Sequence, residues 1–235
     1  MSELLKINNL WGGYKEGVDI LRGISMEVQQ GEAVGIIGLN GSGKSTFGKA
    51  IMNMIPIRKG EILFEGEDIT ALSTSELSHR GISIMQQGGK VFGNLSVWEN
   101  LQLASRGDIS RLIDIIPLLQ RPKRELQHLM ADKLSGGQKH QLSLAMSFAS
   151  SPRLVVLDEP SAGLSPKAVK EMYEMLRTAR DKFEVTIILI EQNIAKAIDF
   201  CNRSILIQQG GVSKVFVSNS ISDIEQVMFN REPNV

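Results

Sequence analysis

The sequence predicts an α/β fold with a mostly parallel sheet, an antiparallel β subdomain and an inserted α-helical subdomain. Three observations carry this. "AVGIIG" (33–38) is a continuous apolar run closed by glycine, the pattern of a strand covered on both faces. "ISMEV" (24–28) alternates apolar and polar residues, as a half-buried antiparallel strand does. From about 96 to 150 the texture turns helical, and no good strand interrupts it.

Each element has a local reason. After 33–38, "FGKAIMNMI" places Phe47, Ile51, Met54 and Ile55 on one helical stripe stopped by Pro56. "GEILFEGEDI" reads as strand and turn. "STSE" (73–76) is a capping box opening a short helix that Gly81 can close. "SVWE" (96–99) is another capping box. "LVVLD" (154–158) is a buried strand, and "TIILI" and "SILIQQG" are further strands. Between them, Ser165 is the N-cap and Pro166 the first residue of a helix with an apolar stripe of Val169, Met172, Tyr173 and Leu176. The expected organisation is one domain over 1–235. Its core and β subdomain span 1–85 and 151–235, with the helical insertion at about 86–150.

Composition narrows the class. A chain of 235 residues with 42% hydrophobic content can bury one large core. Twenty-six basic residues balance 26 acidic ones, so no global field favours nucleic acid or an anionic membrane. The lone Cys201 excludes an internal disulfide framework. Apolar runs such as "IILI" fall far short of the ~20 residues a spanning helix needs. "MSELLKINNL" lacks the pattern of a signal peptide. A cytoplasmic protein is expected, with any membrane role exercised through another chain.

"GLNGSGKST" (38–46) fits G-x-x-x-x-G-K-[ST] through Gly38, Gly41, Gly43, Lys44 and Ser45. Glycines let backbone N–H groups curl around phosphate oxygens, and the following helix start adds its positive dipole end. Lys44 neutralises the β and γ phosphates of ATP, and the Ser45 hydroxyl can ligate Mg²⁺. Leu39, Asn40, Ser42 and Thr46 complete the expected ATP-binding loop. "LVVLDEP" supplies carboxylates at a strand end, where α/β ligands bind. Asp158 is the expected Mg²⁺ partner, and Glu159 the group that takes a proton from the attacking water. Together these describe a P-loop nucleoside triphosphatase.

A second cradle follows at 134–138, "LSGGQ", where Ser135, Gly136 and Gly137 precede a helix buried along Leu142, Ala145, Met146 and Ala149. Such a turn is weak evidence alone. In the order P-loop, helical insertion, "LSGGQ", "LVVLDEP", it resembles the signature motif of the ATP-binding-cassette (ABC) ATPases, over about 4 to 230. The resemblance implies a head-to-tail dimer in which Ser135, Gly136, Gly137 and Gln138 cap the ATP held by a partner's P-loop. It also implies an adenine-stacking role for Tyr14 in "WGGYKEG" and a Q-loop role for Gln87, ligating Mg²⁺ and coupling to a permease. Gln192 stands where most members place a histidine on the γ-phosphate. Three further departures are Gln86 for the usual proline, Met146 for a frequent arginine, and Ser165 for the customary aspartate of "SAGLSP".

"EPSAGLSP", "IEQN" and "GGKVFGNLSVWENL" look like the second ATPase subunit of branched-chain amino-acid importers. That implies a second ATPase subunit, two membrane permeases, a periplasmic or extracellular solute-binding protein reached indirectly, and a location on the inner membrane face. Urea and amide importers share this ATPase type. A cassette that binds ATP with weak or no hydrolysis stays open on Gln192 and Ser165. A non-transport ABC ATPase is a third alternative, though the chain has neither a coiled-coil or zinc insertion nor a basic surface.

Overall fold

A computed structural model of the chain describes residues 2–105, 109–217 and 224. In chain order the first half runs β1 (Glu3–Gly12), β2 (Leu21–Gln29), β3 (Ala33–Ile37), α1 (Lys44–Ile51), β4 (Ile57–Phe64), β5 (Glu67–Asp68), α2 (Thr74–His79), β6 (Ile82–Met85) and α3 (Val97–Ala104). The second half runs α4 (Lys123–His128), α5 (Gly136–Ala149), β7 (Leu154–Asp158), α6 (Pro166–Phe183), β8 (Thr186–Ile190), α7 (Ile194–Phe200), β9 (Arg203–Gln208) and β10 (Gly211–Val217). Short 3-10 turns lie at 110–112, 117–120 and 131–133. The chain divides into two compact units, 1–76 with 187–235, and 77–186.

The first unit holds both sheet types the sequence predicts. β1 pairs antiparallel with β2 and with β4, and β5 extends β4. β3 runs parallel to both β8 and β9, and β10 folds back antiparallel on β9. Every residue of β3 and β8 is buried, as expected of parallel strands without a solvent face. Ile37, Ala197, Leu206, Phe216 and Ile224 form a core under this sheet, so Ala197 places α7 against it.

One expectation fails here. The helix after the glycine loop ends at Ile51, before Met54 and Ile55. Asn53 takes a left-handed φ of +49°, and its Nδ2 donates to the carbonyls of Ile69 and Leu72, each at 2.8 Å. Asparagine tolerates that conformation and competes for backbone partners, so it stops the helix before Pro56 can. Met54 is consequently exposed, while Ile55 is buried from outside the helix. The sequence reading also passed over β10, whose "GVSKVFV" leaves Val215 and Val217 exposed at an edge.

The second unit contains the parallel pair β6–β7 and the helices α3 to α6. Its described residues from 96 to 150 are helical or irregular apart from an isolated bridge between Ser96 and Met130. The predicted capping boxes are present. Ser96 Oγ accepts from Glu99 N, and Glu99 accepts from Ser96 N at 2.7 Å. Asn100, fully buried, accepts from Phe92 N at 2.8 Å and donates to the carbonyls of Phe92 and Ser96 at 3.0 and 2.9 Å. It ties the turn before α3 to the helix. Arg111 joins the unit's far side, with Nη2 donating to the Phe148 carbonyl at 3.0 Å and the guanidinium 4.3 Å from the Phe183 ring centre.

Replacing Asn100 with alanine removes the acceptor of Phe92 N and the side-chain donors to the Phe92 and Ser96 carbonyls, which keep only their backbone partners. Asn100→Ala is expected to lower unfolding stability by about 1–3 kcal/mol, read as a lower urea midpoint at unchanged slope.

Candidate functional site

The site begins where β3 leaves the sheet. Gly38 ends the strand beside β9, where a Cβ would stand 2.4 Å from the Ile207 carbonyl oxygen and 2.8 Å from Ser42 Oγ. No larger residue fits. Gly41 and Gly43 take φ of +77° and +105°, conformations in which an L side chain is strained. The chain therefore wraps 38–43 into a loop that delivers its amides to the first turn of α1. The loop is propped from below, because Gly210 N donates to the Ser42 carbonyl at 3.0 Å and Arg22 N donates to Gly210 at 2.8 Å.

Lys44 opens α1 and is 4% exposed. Its Nζ donates to the carbonyls of Gly38 and Leu39 at 2.9 and 3.0 Å, so the ammonium lies across the mouth of the loop. Ser42 Oγ is buried with no hydrogen-bond partner among the described residues. An orphaned hydroxyl, a bridging ammonium and a glycine floor fit a phosphate chain, whose oxygens would satisfy all three. Ser45 and Thr46 follow on the same turn, with Thr46 buried; Leu39, Asn40 and Gly41 are exposed at the rim. Tyr14 is half exposed and meets the last turn of α1, where Lys49 Nζ donates to its hydroxyl at 3.2 Å and lies 5.4 Å from the ring centre.

In the second unit β7 ends in Asp158, and Glu159 follows it, both buried. Glu159 has a left-handed φ of +48°, an unusual conformation for a side chain with a Cβ. Gln87 Nε2 donates to Glu159 Oε2 at 2.7 Å. These two predicted residues, 72 positions apart in sequence, are thus in direct contact.

Ser135 caps α5, accepting from Gln138 N at 3.3 Å while Gln138 Oε1 accepts from Ser135 N at 3.0 Å. "LSGGQ" is therefore itself a capping box, a sequence signal that the S-x-x-Q spacing carries. Nothing lies within 4 Å of where a Cβ would stand on Gly136 or Gly137. Gln192 is exposed just past β8, and the next residue, Asn193, caps α7 by accepting from Lys196 N at 3.2 Å. Ser165 is the N-cap of α6, as its place before Pro166 implies.

Two residues here lie outside the sequence reading. Glu191, 2% exposed, ends β8, and its N–H donates to the Ile36 carbonyl at 3.1 Å. Nothing in the residues around "TIILI" distinguishes this acid from an ordinary strand end. His140, inside α5, has a buried Nε2 without a hydrogen-bond partner among the described residues. Its place within "QKHQLS" gave no signal of that.

A glycine loop between a buried parallel strand and a helix, bridged by a buried lysine, defines a P-loop nucleotide-binding protein. The chain belongs to the ABC transporter family, whose sequence model matches residues 21–162. It is 30% identical over 231 residues to a probable branched-chain amino acid transport ATP-binding protein LivF of Archaeoglobus fulgidus, covering 95% of this chain and 96% of that one. It is also 30% identical to the lipopolysaccharide export system ATP-binding protein LptB of Acidithiobacillus ferridurans, covering 95% and 93%. A dimeric ATP-binding cassette in a post-hydrolysis state with ADP and phosphate superposes with a TM-score of 0.78 at 24% identity, covering 93% of this chain and all of that one. The protein is an ATP-binding and ATP-hydrolysing subunit of an ABC transporter. Among the described residues no helix is long and apolar enough to cross a membrane.

Lys44→Ala removes the side chain that bridges the loop mouth. Equilibrium binding of labelled ATP is expected to weaken by about ten- to a hundredfold, the scale of deleting one charge-assisted hydrogen bond to phosphate at a buried site.

Proposed function

We propose that this chain powers an importer of branched-chain amino acids or a related small polar solute. The Gly38–Thr46 loop holds the phosphates of ATP, Tyr14 stacks on adenine, and Ser45, Asp158 and Gln87 hold Mg²⁺. A metal held by one carboxylate, a hydroxyl, an amide and phosphate oxygens suits magnesium, which seldom takes an all-protein cage. Bound there, such an ion would supply positive charge to offset that developing on the phosphoryl group. Glu159 accepts the proton of the attacking water, and Gln192 donates from its amide to the γ-phosphate. Gln87 spends its amide donor on Glu159 in this structure, so its Oε1 is the atom suited to the cation.

Ser135, Gly136, Gly137 and Gln138 serve a nucleotide on a second ATPase subunit, identical or not, arranged head to tail. The observation that supports this is the emptiness around both glycines. Neither crowding nor a positive φ within this chain calls for glycine there. Glycine at such a helix start is useful when something outside the chain must approach its amides. The remaining expected partners are two permeases, with a solute-binding protein engaged only through them.

The importer reading is supported by the A. fulgidus relative and by the "EPSAGLSP" and "IEQN" stretches. A second reading, service to a lipopolysaccharide exporter, is favoured by the equal identity of the LptB relative. Purification of the tagged chain from its own cells decides between them. Two permeases with a second cassette and a solute-binding protein support import, whereas permeases of an outer-membrane lipid export system overturn it.

Two outcomes test the chemistry. Glu159→Gln keeps shape but cannot accept a proton, so it is expected to retain ATP, lose most turnover and accumulate as a dimer on sizing with ATP and Mg²⁺. Gln192→Ala is expected to slow hydrolysis on the order of 10²-fold at nearly unchanged ATP affinity. Gln192→His is expected to stay active and to gain a pH dependence between about 5.5 and 8.5, since imidazole titrates near 6.5 and an amide does not. Parental turnover in Gln192→Ala would remove this residue from the γ-phosphate.

A further inference from the structure

After β6 the chain makes a tight turn, Gln86-Gln87-Gly88-Gly89, closed by Gly89 N donating to the Gln86 carbonyl at 3.4 Å. Gly88 has the φ of +85° that a type II turn needs at its third residue. Gln87 rides on the exposed tip and reaches Glu159. Gly89 is buried at the other end, against α5. A Cβ on Gly89 would stand 3.2–3.3 Å from Nδ1, Cε1 and Cγ of His140. Gly89 thus packs closely on the imidazole ring, where a methyl group would be tight, and its φ of +57° disfavours a side chain besides.

His140 is one helical turn beyond Gly136, whose backbone hydrogen-bonds the ring. Its Nε2 is buried without a partner among the described residues. Around it lie Met85, Leu144, Met172 and Met175, a mainly apolar wall that selects the neutral ring. We propose that His140 is a positioning residue for ATP hydrolysis: its ring seats Gly89 and so sets the turn that carries Gln87 to Glu159. This rests on the reading of Glu159 as the proton acceptor. The residue touches neither nucleotide nor reacting water, and acts through the turn alone.

The seat has a sign in pH. Burial, the larger effect, holds the imidazole below its ordinary value of 6.5, against the opposing hydrogen bond that the ring donates to the Gly136 backbone. The facing charged group is Glu171 of α6, itself 3.9 Å from Lys167; Lys139 on α5 and Lys90 beyond the turn complete the charged neighbours by sequence. At neutral pH the ring is uncharged. As pH falls, protonation places a cation among the methionines, and an opened form takes up that proton more readily than the packed one. The seat therefore loosens on the acid side.

The test uses the full-length chain and its His140→Ala, His140→Gln, Gly89→Ala and Gly89→Ala/His140→Ala variants, with Glu159→Gln as reference. His140→Ala is expected to lower kcat roughly ten- to a hundredfold, the scale of an ångström misplacement, with ATP affinity within about twofold of the parent and faster hydrogen exchange over 86–91. His140→Gln, neutral and able to fill part of the space, is expected to recover much of kcat and to lack the parent's acid limb. Gly89→Ala presses a methyl against the ring and also strains a backbone at φ +57°, of which only the first is relieved by removing the ring. The double variant is therefore expected to lose less than the product of the single losses. If His140→Ala unfolds, His140→Gln keeps the test decisive, since an acid limb unchanged from the parent's overturns the proposal. Lost turnover in Glu159→Gln with parental turnover in His140→Ala, or multiplicative losses in the double variant, overturns the proposal alone. Parental turnover in Glu159→Gln overturns the underlying reading and the proposal with it.

Discussion

The buried ammonium of Lys44 is the interaction on which the nucleotide-binding half is organised. Taking such a cation out of water costs several kcal/mol unless dipoles replace the lost hydration. Here the carbonyls of Gly38 and Leu39 do so. Those carbonyls face inward only because the chain turns sharply at the end of β3, and that turn is open to glycine alone. The Ile207 carbonyl of β9 blocks any Cβ at position 38. Sheet register therefore sets loop shape, and loop shape sets the position of the charge. On the proposed reading, a phosphate reaching the loop would exchange the carbonyl partners of Lys44 for oxyanions, which bind an ammonium more strongly.

The prop under this loop is as important as its glycines. The Gln209–Gly210 turn that joins β9 to β10 bonds upward to Ser42 and is bonded from Arg22 at the start of β2. A Cβ on Gly210 would fall 1.8 Å from the Ile20 carbonyl, so this turn too admits only glycine. Strands from both sheet systems of the first unit are thereby tied to one short loop.

Much of this was legible in the sequence because it depends on local chemistry. Continuous apolar runs marked β3, β7 and β8, since strands buried on both faces cannot alternate. Capping boxes marked α2 and α3, because their side chains meet only their own first turn. Contacts between distant segments were not legible. Asn53 ended α1 by bonding to Ile69 and Leu72, which no window around 53 reveals. The Gln87–Glu159 contact follows from two strand ends lying side by side in the parallel pair β6–β7. The motif pattern named both residues but not their hydrogen bond. His140 and Gly89 carried no pattern at all, because a glycine packed closely on an imidazole is a property of tertiary contact.

The two glycine cradles differ in what accounts for their glycines. At Gly38 and Gly43 the chain itself supplies the reason, through a blocking carbonyl in one case and a φ of +105° in the other. At Gly136 and Gly137 the space around each is open and the backbone is ordinary. Alanine there would favour the helix by up to about 1 kcal/mol per residue, so the chain carries a small instability at the start of α5. The capping box of Ser135 and Gln138 offsets part of it. An instability of that kind is understandable where function needs bare amides, and the proposed head-to-tail arrangement provides that function. On this reading the first cradle is shaped by its own fold, and the second by a nucleotide the chain does not itself hold.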